Sequence, residues 1–130
     1  MKATLALTYR INGAGEVSVA EQLEAGDAEA PGMFRFGMTM AMPARYSEIV
    51  YYGRGAHENY CDRLSSADLG LYSQKVADQY HDEYVRPQES GTKSDLRWWS
   101  VVDSSGSGLT ILSEAPFSLR RCPMRPRRST

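Results

Sequence analysis

The chain is poor in the residues that build cofactor sites. It has two cysteines, two histidines and two tryptophans in 130 residues. Cys61 and Cys122 make neither a disulfide framework nor a zinc ligand set, and read as two free thiols in a reducing compartment. His57 and His81 lie too far apart, without neighbouring ligands, to nucleate a metal site. There is no Gly-x-Ser-x-Gly, no Cys-x-x-Cys and no serine–histidine–acid order. No apolar run approaches the roughly 18 residues that cross a bilayer. Lys2 is followed by alternation rather than an apolar block, so no secretory signal is read and the chain is expected in the cytoplasm, although a parent protein could be exported.

What is present reads as one soluble globular domain. Hydrophobic residues make up 42% and charged residues 24%, the balance of a chain with one modest core. Net charge is −1, but five arginines (Arg120, Arg121, Arg125, Arg127, Arg128) crowd the end without an acid among them. The remaining ten basic residues face all sixteen acids, so residues 1–117 carry −6. The asymmetry marks residues 118–130 as a separate basic tail, disordered or non-native. It lacks the aromatics that stack bases and the body repels phosphates, so no nucleic-acid partner is expected, nor a membrane.

Alternation dominates the first half. Leu5, Leu7, Tyr9 and Ile11 share one side of a strand, Asn12-Gly13 signals a turn, and Val17 and Val19 begin the return. Residues 24–32 read as a loop. Phe34, Phe36, Met38, Met40 and Met42 alternate as the clearest strand, ended by Pro43. Ile49–Tyr52 is a short strand. Residues 56–95 are poorly periodic and read as a long functional or interface loop, with one helical turn near Ser65–Leu71. Leu96–Val101 is a strand, Ser104–Gly108 a turn, Leu109 and Ile111 a last strand, and Pro116-Phe117 the start of one more. Short strands with turns between them predict an all-β, antiparallel β-sandwich or barrel.

Two stretches carry chemistry. In the first, Gly53-Arg54-Gly55-Ala56-His57-Glu58-Asn59-Tyr60-Cys61-Asp62-Arg63, His57 and Glu58 are an acid–base pair in type, but neighbours on a strand point to opposite faces. The alternative is a structural turn in which Glu58, Asp62 and Arg63 are tied into salt bridges and backbone hydrogen bonds. In the second, Arg86, Glu89, Arg97, Trp98 and Trp99 suit a sugar, with a flat ring for the pyranose face and charges for its hydroxyls. The alternative there is one core tryptophan and one interface anchor.

Together the stretches resemble the C-terminal domain of the large bacterial β-galactosidases of glycoside hydrolase family 2, often called the small chain. That family shows Gly-x-Gly-Pro-x-Glu-Asn-Tyr-x-Asp-Arg, matched from Gly53 to Arg63 with Ala56 for the proline. It then shows Tyr-x-x-Pro-x-Glu-Asn-Gly before an arginine-bearing strand, matched by Tyr84, Pro87, Glu89, Ser90 and Gly91, then Arg97 and Trp98, with Ser90 for the asparagine. The resemblance covers roughly residues 1–118. It implies a galactose mutarotase-like supersandwich. It also implies a parent that hydrolyses terminal non-reducing β-D-galactose with retention, through two glutamates. Those glutamates, and the magnesium and sodium ligands, belong to a TIM barrel outside this chain, so no cofactor is expected here.

The family's loop tryptophan should fall just before Pro116-Phe117, where Ser113 and Glu114 stand, so no catalytic residue is carried over. Beyond Phe117 the arginine run replaces the family's aromatic and polar continuation, which reads as a truncation or a shifted frame. Residues 1–117 are then a partial small-chain sandwich that contacts the catalytic barrel, and a β-galactoside or galactose, without catalysing. An incomplete sandwich is expected to self-associate. Two other readings remain: a free-standing carbohydrate-binding module using Trp98 or Trp99 with Arg86, Glu89 and Arg97, and a mutarotase-like enzyme using His57 and Glu58.

Overall fold

A computed structural model describes residues 3–26, 35–81, 83–86 and 88–121. The described structure is all-β and antiparallel, as the alternation predicts, and falls into two compact units, Met1–Met40 and Ala41–Thr130.

The first unit is a hairpin of β1 (Ala3–Ile11) and β2 (Val17–Ala25), paired from Ala3↔Ala25 to Ile11↔Val17. Its loop has five residues, and the left-handed position falls at Gly15 (φ 86°) rather than Gly13. Asn12 organises the loop: its Oδ1 accepts from the amides of Ala14 (2.9 Å) and Glu16 (3.1 Å). Leu5, Leu7, Tyr9 and Ile11 share a face with Val17 and Val19, and all six are exposed.

The expected strand over 34–42 does not form. Phe34 lies outside the described residues, and residues 35–43 are irregular, with Phe36, Met38 and Met40 exposed. Alternation fixes which side a residue faces, but a strand also needs a ladder partner. No described residue supplies one.

The second unit is a four-stranded sheet in the order β4-β3-β5-β6. Here β3 is Glu48–Gly55, β4 Asp68–Lys75, β5 Lys93–Val102 and β6 Gly108–Leu119, with a short 3-10 turn over Val76–Gln79. The stretch read as a long loop therefore contains a strand, and the helical turn placed near Ser65–Leu71 is the entry to it. Within β4, Leu69 and Leu71 alternate with Gly70 and Tyr72, and the glycine and polar residues mask the pattern. Tyr72 packs its ring on Tyr51 at 5.4 Å. Pro116-Phe117 starts no new strand, because β6 runs through it to Leu119. Beyond that, residues 122–130 of the basic tail lie outside the described residues.

One face of the sheet holds the core: Ile49, Tyr51, Val76, Leu96, Trp99 and Val101, flanked by Met42, Tyr46, Ile111 and Phe117. The opposite face carries a cross-strand row in register, Leu71–Tyr52–Trp98–Leu112, from edge to edge. Leu71 and Leu112 are 67% and 72% exposed, so this row is a second apolar surface.

A bulge in β5 separates the two halves of that strand. Its pairing with β6 shifts register between Lys93 and Leu96 and again before Trp98. Asp95 takes φ 53°, so Leu96, three residues before Trp99, turns to the same buried face. Gly53 makes room: a Cβ there would stand 2.7 Å from the Leu96 side chain and 3.0 Å from its Cα.

Candidate functional site

The Gly53–Arg63 stretch is the end of β3 and the bend that follows it, and two of its polar side chains turn inward. Glu58 and Asn59 are buried, at 6% and 0% exposure. Both grip the segment that leads into β5. Glu58 Oε2 accepts from the Gly91 amide at 2.8 Å, and its Oε1 from Arg63 Nη2 at 2.5 Å. Gly91 has φ 78°, and a Cβ there would collide with the Gln79 carbonyl, so glycine is required for the amide to reach the carboxylate.

Asn59 uses both ends of its amide. Nδ2 donates to the carbonyls of Arg54 (3.0 Å) and His57 (3.1 Å). Oδ1 accepts from the Ser94 amide at 3.0 Å and from the Ser94 hydroxyl. The Asn59 amide donates to the Thr92 carbonyl at 2.9 Å. Nearby, Arg54 donates through Nε to Asp95 Oδ2 (2.7 Å) and through Nη1 to the Ala67 carbonyl (2.9 Å). These bonds clamp residues 54–63 to residues 91–95.

Thr92, Lys93 and Ser94 are buried with them. Burial pushes the Lys93 ammonium down to about 8, while the Glu58 carboxylate pulls it the other way. Its folded value thus lies below the ~10.4 of an unfolded lysine. Between those values the unfolded chain holds the extra proton, so stability rises with pH across that window. Above pH ~10 the trend reverses, because burial raises the hydroxyls of Tyr51 and Tyr60 and unfolded tyrosines ionise first. We expect urea midpoints to climb from pH 7.5 to 9.5 in the parent chain and to stay flat in Lys93→Met. Equal slopes in the two proteins would contradict the assignment.

A cleft of about 380 Å³ opens beside this clamp, lined by Tyr60, Asp62, Arg63, Gln88 and Glu89. Arg63 lies over the Tyr60 ring, its guanidinium carbon 5.2 Å from the ring centre. Glu89 faces Arg120 at 3.8 Å. The Tyr60 hydroxyl is buried beside the Thr92 side chain.

The residues singled out from the sequence are dispersed. Glu58 is committed to the clamp. His57 is exposed and shares a 3.0 Å hydrogen bond with Ser66 Oγ. Trp99 is a core residue opposite Tyr51, whereas Trp98 is half-buried on the other face in the apolar row. Arg86 and Arg97 are exposed, and of the named set Glu89 alone lines the cleft. Sequence reading passed over Asn59, although its neighbours Glu58 and Tyr60 in the motif marked it. Lys93 gave no signal, because nothing in its neighbours foretells burial of an ammonium. Among the described residues, no three His, Cys, Asp or Glu side chains come together as a metal donor set.

A family model described as "Beta galactosidase small chain" matches residues 1–127. The chain belongs to the β-galactosidase small-chain family. It is 34% identical over 124 residues to a β-galactosidase of Priestia megaterium, covering 95% of this chain and 12% of that protein. Against a β-galactosidase of Lactobacillus delbrueckii subsp. bulgaricus it is 35% identical over 123 residues, again 95% and 12%. A Vibrio cholerae β-galactosidase is 37% identical over 94 residues, 72% of this chain. This small-chain sequence thus spans about an eighth of the length of the curated relatives it matches. No helix among its described residues is long and apolar enough to cross a membrane.

Proposed function

We propose that this small-chain domain serves as a non-catalytic part of a β-galactosidase, an enzyme that removes terminal non-reducing β-D-galactose from β-galactosides. The observation that carries the reading is the clamp. Glu58 and Asn59 are consumed by bonds within the protein and Arg63 braces Glu58, so the motif works as architecture. Among the described residues His57 bonds the exposed Ser66, and Glu58 turns away into the clamp, so the structure lends a mutarotase-like acid–base pair no support. In this reading the catalytic glutamates and the magnesium and sodium ions belong to a barrel domain supplied by the rest of a cytoplasmic enzyme. The apolar row Leu71–Tyr52–Trp98–Leu112 is covered by neighbouring protein there, and drives self-association when the domain stands alone.

A segment exchange tests the proposal. The matching segment of the Priestia megaterium β-galactosidase is replaced by residues 1–121, and hydrolysis of a chromogenic β-galactoside is followed. We expect the chimera to retain at least a tenth of the parent's kcat/KM, a loss of no more than about 1.4 kcal/mol at the transition state. The 130-residue chain alone should show no turnover. A folded chimera that hydrolyses nothing, or turnover by the chain alone, would overturn the reading.

A further inference from the structure

We propose that the cleft bordered by Tyr60, Asp62, Arg63, Gln88 and Glu89 is a binding site for a neutral polyhydroxylated ligand, with a monosaccharide or the end of an oligosaccharide as its chemical class. The inference deepens the functional reading above and rests on it for the choice of sugars to try.

The case begins with charge. Arg63 is held by Glu58, Glu89 faces Arg120, Asp62 adds one negative charge and the Lys93 ammonium beside Glu58 adds one positive. Among the described residues, three cations meet three carboxylates, so the lining offers no excess charge to attract an ion. What it offers is hydrogen bonding of both kinds: guanidinium donors on Arg63, carboxylate acceptors on Asp62 and Glu89, and on Gln88 an amide that is both. A sugar hydroxyl donates once and accepts up to twice, which is the pattern such a mixed lining satisfies.

Rigidity is the second argument. Arg63 is fixed at two points, by Glu58 at 2.5 Å and by the Tyr60 ring under its guanidinium. Glu58 is in turn fixed by the Gly91 amide, so the donors on the cleft wall are set before a ligand arrives. A volume of about 380 Å³ falls within the range of small-molecule sites, and a lining with one ring and many polar groups predicts weak, millimolar binding.

Tryptophan emission is the wrong probe, because neither Trp98 nor Trp99 borders the cleft. Saturation-transfer difference NMR of the full chain reads the sugar's own protons and tolerates self-association. Galactose and lactose are titrated, with myo-inositol as a non-sugar polyol and inorganic phosphate as the anion. The expected result is saturable transfer to a sugar, weakened about tenfold in Glu89→Gln and in Gln88→Ala and unchanged in Trp98→Phe, with circular dichroism showing every variant folded.

Transfer from myo-inositol equal to that from the sugars would still support a polyol site and would remove only the choice of sugar. No saturable transfer from any of the three polyols would overturn the proposal. So would transfer that survives in the Glu89→Gln/Gln88→Ala double variant, or displacement of the sugar by phosphate. An active segment-exchange chimera in the absence of sugar binding would sink this inference alone and leave the structural role standing.

Discussion

Asn59→Leu is expected to cost about 3–4 kcal/mol of stability, measured as a fall in the urea midpoint followed by circular dichroism. The side chain is completely buried and makes four hydrogen bonds, two as donor and two as acceptor. Leucine has the same number of side-chain heavy atoms and the same branch point but is bulkier, so none of the loss arises from a cavity. Most of it comes from the groups left behind: the carbonyls of Arg54 and His57 and the amide and hydroxyl of Ser94, in a place where water does not reach them. An unsatisfied buried polar group costs about 1–3 kcal/mol, and the estimate assumes that some of the four find other partners. A domain of this size has only about 5–15 kcal/mol to lose. Asn59→Asp should fare no better, since it keeps the acceptor, loses both donors and buries a charge. A midpoint shift worth less than about 1 kcal/mol in Asn59→Leu would show that the clamp is not what joins the two segments.

The two tryptophans are adjacent and should behave very differently. Trp99→Ala is expected to lose about 3–5 kcal/mol, the usual cost of emptying a large aromatic site in a core. It is 3% exposed and stands in register with Tyr51 on one side and Ile111 on the other. Trp98→Ala should cost less than half as much, because Trp98 faces away from the core in a row whose ends, Leu71 and Leu112, are mostly exposed. The same urea series measures both. Equal losses would mean that the outer row is as closely packed as the core, contrary to the exposure of its ends.

Much of this was legible from sequence, for identifiable reasons. Alternation placed β1, most of β5 and the start of β6, the apolar run Ile49–Tyr52 placed the middle of β3, and Asn12 marked the hairpin. The tie between Glu58 and Arg63 followed from opposite charges five residues apart at a bend. What escaped reading had no local signal. Strand β4 is interrupted by Gly70 and carries Leu69 and Leu71 on the less covered face, so its pattern looks polar and irregular. The Phe36–Met42 alternation points the other way: it is a clean period of two without a partner strand among the described residues. The bulge at Asp95 cannot be read from alternation at all, because it breaks the period that the reading depends on. The Lys93 burial and the cleft depend on segments brought together over long stretches of chain.

That long reach bears on how fast the sheet assembles. The β5–β6 hairpin turns through a short Asp103–Ser107 loop, so it needs little chain closure to form. The central β3–β5 ladder is different, since the Asn59–Ser94 contact beside it joins positions 35 apart. Closing that span must come before its hydrogen bonds can repay the lost chain entropy, which places the slow step of folding at the centre of the sheet rather than at its edges. The clamp sits where that span closes.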